Sequence, residues 1–457
     1  MRAIGIDIGT TTICGVVVDG NTGAMLDTIT ENNKSVLQRK CDWEKLQEPD
    51  EIFRQVSSIV KALSGKYESI KCIGVTGQMH GIVYINGEGN AASPLFTWQD
   101  GRGDLAYKDG LSYAEFLGAK TDHKLATGYG SVTHFYNVCK GQAPDSAQFI
   151  CTIADYVAMK LAQCKAPRLN PSNAASLGLF SLETNSFDTD AIRSAGMDEA
   201  VFPVVSRDEK LLGVTGSNIV VAAAIGDNQA SFLGSVRDMD RSVLLNVGTG
   251  SQVSIYTEGL IHSSGIETRP FADKGFLQVG APLCGGNAYA LLEGFFRSVV
   301  HMATGKEPGN LYSAMDRYAE DVLMNENRLQ ISTCFKGTRD NPSLRGEISN
   351  IGINNFTPQH FAFGVLEGIA QELHGLFENM TPPREKAFDT IVGSGNGIRK
   401  SALLQKILTR MFNMKLQIPV YREEAAYGAA LFAMTGAGHF KDTSEAQALI
   451  SYKEEEL

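Results

Sequence analysis

The sequence has no apolar run near the ~20 residues that a helix needs to cross a bilayer, so no membrane span is expected. It has no Cys-x-x-Cys pair, and its eight histidines do not gather beside its eight cysteines, which argues against a structural zinc site. Scattered cysteines of this kind read as reduced thiols and suggest the cytoplasm. No Gly-x-x-x-x-Gly-Lys-Ser/Thr string occurs, which excludes the P-loop kinases as a class. Positive charge is short as well: 41 Lys and Arg stand against 51 Asp and Glu, a formal net charge of −10. Such a surface disfavours nucleic acid and anionic membranes, so a phosphate ligand must be met by local amides and metal. The N terminus enters a strand-like alternation at once, and no targeting segment is expected.

What is present is chain enough for two full cores, 457 residues. In Arg2-Ala3-Ile4-Gly5-Ile6-Asp7-Ile8-Gly9-Thr10-Thr11-Thr12 the isoleucines alternate as in a strand, and residues 13–19 read as its return. The hairpin tip, Gly9 to Thr12, offers clustered amides and hydroxyls to a phosphate, and Asp7 points a carboxylate there that suits a divalent metal. An ordinary threonine-rich turn accounts for the same residues. The pattern recurs, however, at Asn246-Val247-Gly248-Thr249-Gly250-Ser251. Asp7 matches Asn246, Gly9 matches Gly248, Thr10 matches Thr249 and Thr12 matches Ser251, all at one offset of about half the chain. Repetition on this scale suggests two related domains, expected over 1–236 and 237–457, with the two hairpins clamping a nucleotide between them. The pair resembles the actin-like sugar kinases. That resemblance implies an α/β fold of two actin-like (ribonuclease H-like) domains with a nucleotide and sugar cleft between them.

Along the chain, residues 50–63 carry apolar side chains at helical spacing and residues 70–76 read as a strand. The strand stops at Gly77-Gln78-Met79-His80-Gly81, and polar residues at a strand end sit where open α/β sheets bind ligands. Gln78 and His80 can exchange hydrogen bonds with hydroxyls, although a tight turn with an incidental histidine is the plainer reading. Thr97-Trp98-Gln99-Asp100-Gly101-Arg102 offers an aromatic face and a carboxylate to a polyol, or else a core Trp beside a surface ion pair. Residues 219–225 read as a buried strand running into Gly226-Asp227-Asn228-Gln229, where Asp227 is either a helix N-cap or a functional carboxylate. Gly285-Gly286-Asn287 opens a helix that a ligand can approach. Residues 389–392 form a strand leading to Gly393-Ser394-Gly395-Asn396-Gly397 and a helix over 398–411, a platform for phosphate or adenosine. A dinucleotide fingerprint fails there for want of room and of a later acidic residue. Residues 423–430 suit a small-residue helix in close packing.

The Gln-Met-His-Gly string resembles that of the xylulokinases and sedoheptulokinases among the FGGY carbohydrate kinases, and the Trp98 segment is similar to their Trp-x-Asp-x-Arg sugar segment. Residues 126–130, 152–156 and 173–176 look like sedoheptulokinase segments that border the sugar, though capping alone accounts for Asp155. The resemblance runs from Asp7 to Ala430. It implies an ATP- and Mg²⁺-dependent kinase acting on the terminal primary hydroxyl of a ketose: sedoheptulose first, with xylulose or another ketose or polyol as the alternative. It makes Asp227 the catalytic base and assigns the sugar to Gln78, Met79, His80, Trp98, Asp100, Asn173, Asp227 and Asn228. Phosphates and nucleotide fall to Gly9, Thr10, Thr11, Thr12, Gly248, Thr249, Gly286 and Asn287, adenosine to Gly393, Gly395 and Asn396, and the metal to Asp7. Glycines in 126–130 are expected to leave room for a longer sugar, with Asn173 pairing its added hydroxyls. The second hairpin departs from the pattern, being closer to the glycerol kinases and xylulokinases than to the Ser-Thr-Ser form of some sedoheptulokinases. A non-catalytic actin-like sugar sensor is the competing class, and the retained Asp7, Asp227 and sugar motifs argue against it. Sugar and ATP are the expected partners, with neither nucleic acid nor membrane.

Overall fold

In the computed structural model, which describes residues 1–272, 274–338, 341, 343–380 and 387–454, the alternating isoleucines form strand β1 (Arg2–Ile8). Antiparallel β2 (Thr12–Asp19) and β3 (Met25–Asn32) follow. Helix α1 (Pro49–Lys66) starts with proline in its first turn, Glu48 accepting from the Asp50 N–H, and ends on Lys66, as the helix dipole favours. It buries Ile52, Val56, Ile59 and Leu63 in one core with Ile4, Ile6 and Ile8. Each such side chain stabilises the fold by about 1.5–3 kcal/mol relative to exposure. Strand β4 (Ile70–Gly77) returns parallel to β1, and β5 (Val220–Ala222) and β6 (Ile225–Gly226) lie parallel to β4. The sheet runs β3-β2-β1-β4-β5. Helix α2 (Asp227–Ser235) leaves β6 directly.

A second sheet repeats this plan. Strands β7 (Ser242–Val247), β8 (Ser251–Thr257) and β9 (Phe276–Gly280) are antiparallel neighbours. Helices α3 (Gly286–Thr304) and α4 (Pro358–Asn379) intervene, α4 burying Phe363, Leu366, Ile369 and Leu373 against Val243 and Leu245 of β7. Strand β10 (Thr390–Ser394) is parallel to β7, and β11 (Lys415–Gln417) is parallel to β10. The order β9-β8-β7-β10-β11 matches the five-strand run of the first sheet, and the edges differ: Leu211–Val214 extends the first sheet beyond β5, and Glu267–Pro270 extends the second beyond β9. The echo in sequence is an echo of fold. The one helix expected over 398–411 is two, α5 (Gly395–Lys400) and α6 (Ala402–Phe412). Ser401 breaks it: its backbone is extended and its hydroxyl accepts from the Leu404 N–H at 3.1 Å, capping α6.

The chain divides into two units, Met1–Arg237 with Arg269–Gly275 and Glu423–Ile450, and Asp238–Thr268 with Phe276–Arg422 and Ser451–Leu457. The single cut expected after residue 236 misses this, because helix α7 (Glu424–Gly436) packs on the first sheet. A Cβ on Gly5 would lie 1.8 Å from the Ala426 carbonyl oxygen, one on Gly74 1.8 Å from that of Ala429, and one on Gly428 1.9 Å from that of Ala230. Backbone meets backbone there, and only glycine allows it. Among the described residues no helix is long and apolar enough to cross a membrane.

Candidate active site

The first hairpin turns tightly, the Gly9 N–H donating to the Thr12 carbonyl at 2.9 Å. Thr10 is the hub of its tip. Its hydroxyl donates to Gln78 Oε1 at 3.4 Å and accepts from Trp98 Nε1 at 3.1 Å, while its carbonyl accepts from Gln47 Nε2 at 2.8 Å. Gln78 Nε2 in turn donates to Gln47 Oε1 at 2.8 Å. The phosphate hairpin and two residues expected at the sugar thus share one hydrogen-bonded cluster, with Thr11 and Thr12 exposed beside it.

Beyond Gln78 the backbone folds so that Met79 is buried under the next turn, near Gly226, where a Cβ would meet its Sδ at 2.9 Å. His80 has φ of 71°, a left-handed conformation uncommon outside glycine that costs of order 1–3 kcal/mol. Its partners fix it there. The His80 N–H donates to Ser176 Oγ, the ring Nδ1 lies 2.8 Å from the Ser176 carbonyl, and the ring stacks on Tyr129 at 4.6 Å and 9°. A carbonyl only accepts, so Nδ1 carries a proton toward Ser176. The incidental-histidine reading does not account for this much fixation.

Trp98 and Asp100 exchange the surroundings expected of them. Trp98 is 46 % exposed, whereas Asp100 is fully buried. Asp100 Oδ1 accepts from Arg102 N and, at 2.6 Å, Arg102 Nε, and Oδ2 accepts from the Lys45 N–H at 3.1 Å. Arg102 is buried too, its guanidinium 4.2 Å from the Phe96 ring centroid and donating to Asn137 Oδ1. Buried charges persist only when paired and hydrogen-bonded, and these spend themselves on each other. Asp100 therefore braces the Trp98 segment, both of its oxygens being engaged within the protein. Asn173 is likewise fully buried: its Nδ2 donates to Asp155 Oδ1 and Thr152 Oγ1, leaving Oδ1 without a protein partner. Asp155 closes a capping box with Thr152, so capping does account for it. The glycines of 126–130 leave no room either. A Cβ on Gly128 would lie 2.0 Å from the Trp98 carbonyl oxygen, and one on Gly130 2.5 Å from Ile82.

Asp227 is the first residue of α2, and Gly226 holds the cap position without any side-chain bond, so the N-cap reading fails. Burial raises its carboxyl above the usual range, partly offset by the Arg269 guanidinium and the Asn228 N–H. Asp7, at the end of β1, is pushed up to about 7, first by burial and then by the charges of Asp227 and Glu423. The charges of Asp227, just after β6, and of Glu423, just before α7, thus both bear on Asp7. Among the described residues no three acidic, histidine or cysteine side chains are gathered as a metal-ligand set. Asn228 Oδ1 is buried without a partner. Gln47 and Arg269 escape sequence reasoning because each reaches the site from a segment with no motif of its own, whereas Tyr129, Ser176 and Glu423 lie in segments 126–130, 173–176 and 423–430 without being singled out there.

In the second unit the tip is one residue shorter. Asn246 pairs with Gln252, whereas Asp7 pairs with Cys14, and the Gly248 N–H donates to the Gly250 carbonyl. The start of α3 sits on this tip: Gly286 N–H donates to the Gly248 carbonyl and Asn287 N–H to that of Thr249, whose residue is exposed. A Cβ on Gly286 would lie 2.2 Å from the Gly248 oxygen. Asn246 Nδ2 donates to Ser394 Oγ. Gly395, at φ of 79°, turns the chain against Val247, and Asn396 is exposed. Gly393 is buried inside β10 under Ile398 and Leu416, a packing position.

Residues 2–242 match the N-terminal domain of the FGGY family of carbohydrate kinases, and residues 246–437 match its C-terminal domain. The chain belongs to that family. This FGGY kinase is therefore an enzyme, an ATP-dependent phosphotransferase acting on a sugar. It is 26% identical to human sedoheptulokinase over 398 residues, covering 79% of this chain and 80% of the relative. With a xylulose kinase of Staphylococcus epidermidis it shares 24% identity, over 96% of this chain and 88% of the relative. A solved xylulose kinase from Lactobacillus acidophilus superposes with a TM-score of 0.83 at 18% identity, over 99% of this FGGY kinase and 93% of that chain. A Plasmodium falciparum glycerol kinase solved with ADP gives 0.79 at 18% identity, over 98% and 92%. The two-sheet α/β architecture is thus that of FGGY kinases over the full length.

Proposed function

We propose that this FGGY kinase transfers the γ-phosphoryl group of ATP to the terminal primary hydroxyl of a ketose, with sedoheptulose the substrate and sedoheptulose 7-phosphate the product. The observation that carries the reading is the Thr10, Gln78 and Trp98 cluster, which joins the phosphate hairpin to hydroxyl-binding groups within one unit. Asp227 is the base. Its raised affinity for protons brings it nearer the operating pH while Arg269 keeps the ionised form accessible, and it accepts the hydroxyl proton as phosphoryl transfer proceeds. Asp7 is the residue that would hold Mg²⁺, which when bound neutralises phosphate charge. Gln78, His80 and Trp98 bind the sugar, Met79 supports them from below, and Asn228 offers an unpartnered oxygen. Thr249, Asn287, Gly395 and Asn396 serve the nucleotide, and a cytoplasmic location suits an enzyme with eight free thiols.

For sedoheptulose over xylulose, the support is likeness to sedoheptulokinases; the packed glycines at 128 and 130 lend none. Xylulose is the second reading, favoured by the similarity to xylulose kinases and the Gly-Thr-Gly form of the second tip. A coupled ADP assay on both sugars tests it. The expected outcome is a higher kcat/KM for sedoheptulose; equal or better turnover of xylulose overturns the assignment and leaves the kinase chemistry standing.

A further inference from the structure

One hydroxyl proton in the cluster around Thr10 has more than one claimant. The donors run in a single sense: Thr10 Oγ1 to Gln78 Oε1 at 3.4 Å, Gln78 Nε2 to Gln47 Oε1 at 2.8 Å, and Gln47 Nε2 back to the Thr10 carbonyl at 2.8 Å. Hydrogen bonds aligned this way polarise one another, and each amide has its orientation set by the next. Trp98 Nε1 feeds the same hydroxyl at 3.1 Å, so Thr10 Oγ1 already accepts one bond and has a single proton to give. That proton goes to Gln78 across the longest link of the ring. Gln47 is buried, belongs to neither hairpin nor strand-end motif, and bonds to both.

We propose that this closed ring, with Gln47 as its positioning residue, couples nucleotide binding to sugar binding. The inference rests on the ketose kinase reading above. A phosphate oxygen at the hairpin tip is a stronger acceptor than a neutral amide and takes the Thr10 proton. Gln78 Oε1 is then left with a lone pair to satisfy, and a sugar hydroxyl satisfies it. In the reverse order, a sugar hydroxyl donating to Gln78 Oε1 releases the Thr10 proton for phosphate. Each ligand thus compensates the atom that the other strands, and an unsatisfied buried acceptor is costly enough to make the coupling measurable. Gln47 makes it directional: while it holds Gln78 Nε2, the Gln78 amide cannot rotate to substitute its N–H groups for the vacated acceptor. By linkage the effect is reciprocal, and coupling of this kind is typically about 5–150-fold.

The test uses the full-length protein with Trp43→Phe, which leaves Trp98 as the only tryptophan and its fluorescence as a reporter beside the hydroxyl concerned. Sugar Kd is measured for sedoheptulose and for xylulose, with and without Mg²⁺ and a non-hydrolysable ATP analogue. The expected result is sugar binding at least about 5-fold tighter with the analogue, and analogue binding tighter by the same factor with sugar. Thr10→Val, which keeps the shape and removes the proton, should bring the factor to about one, while Thr10→Ser should retain it. Gln47→Met should abolish the coupling, each ligand binding equally well with and without the other. Because Gln47 is buried, the Thr10 pair carries the test if Gln47→Met fails to fold. Wild-type sugar Kd unaffected by the analogue overturns the inference alone. Coupling that survives Thr10→Val overturns the route through this hydroxyl. Absence of binding by either sugar overturns the ketose reading and the inference with it.

Discussion

The two hairpin tips have one topology and different wiring. The first, at Gly9 to Thr12, is bound by its threonine to Gln47, Gln78 and Trp98, the last two in the proposed sugar site. The second, at Gly248 to Gly250, is bound by its carbonyls to the start of α3 and through Asn246 to Ser394, beside the proposed nucleotide residues Asn287 and Gly395. The acid of the pair survives only in the first: Asp7 sits among Asp227 and Glu423, and its counterpart is the neutral Asn246. In the proposed function both tips are phosphate cradles, and what packs behind each divides the labour. A tip of backbone amides is generic, and its neighbours give it a task.

The comparison breaks most visibly at Asp227. Asp227→Asn keeps the shape of the first site and removes its base, so kcat should fall by ~10²–10⁴ with both Kd values nearly unchanged. Single-turnover kinetics beside equilibrium binding decide it, and a variant that keeps most of its turnover removes Asp227 from the chemistry. In the wild type, kcat/KM should rise with pH on the acidic side, through a group raised above the ordinary carboxylate range.

The second tip is tested at Gly286. A methyl group there meets the Gly248 oxygen at 2.2 Å and must displace the tip or the start of α3. Gly286→Ala should raise the KM for ATP by roughly 10-fold, equivalent to about 1.4 kcal/mol, and leave sugar affinity alone. A matching loss of sugar affinity would show that the division of labour is not as clean as the wiring.

The smallest effect concerns stability. Burial and like charge raise Asp7 to about 7 from an ordinary 3.8, so between those values the folded protein holds a proton that the unfolded chain has released. Folding is therefore penalised as pH rises through that window, and the penalty is complete above it. Without Mg²⁺, Asp7→Asn should be more stable than wild type at pH 8 by about 1–2 kcal/mol, the gap closing towards pH 4. Thermal melts across pH check this; a gap that does not vary with pH means that Asp7 is ionised throughout. Restoring Mg²⁺ should narrow it.

By itself the sequence determined the repeat, the α/β class and the places where strands end in polar turns. Periods of two and 3.6 and a constant spacing between motifs are properties of the chain in one dimension. Asp227 was legible for the same reason, since it stands at the end of an apolar run. Only the tertiary structure decided which polar residues keep a group to offer. Asp100 looks like a sugar ligand in a motif, yet Arg102 and Lys45 engage both of its oxygens, whereas Asn173 gives its amide N–H groups to Thr152 and Asp155 and keeps Oδ1 without a protein partner. The glycines at 128 and 130 look like open space and are filled by Trp98 and Ile82. Gln47 carries no local signal, and Glu423 sits in a segment legible only as close packing, because the bonds and charges that matter to them come from segments distant in sequence. The return of α7 to the first sheet was hidden likewise: close packing of Gly5 and Gly74 on its carbonyls is a contact between the two ends of the chain, and one-dimensional periodicity does not record contacts.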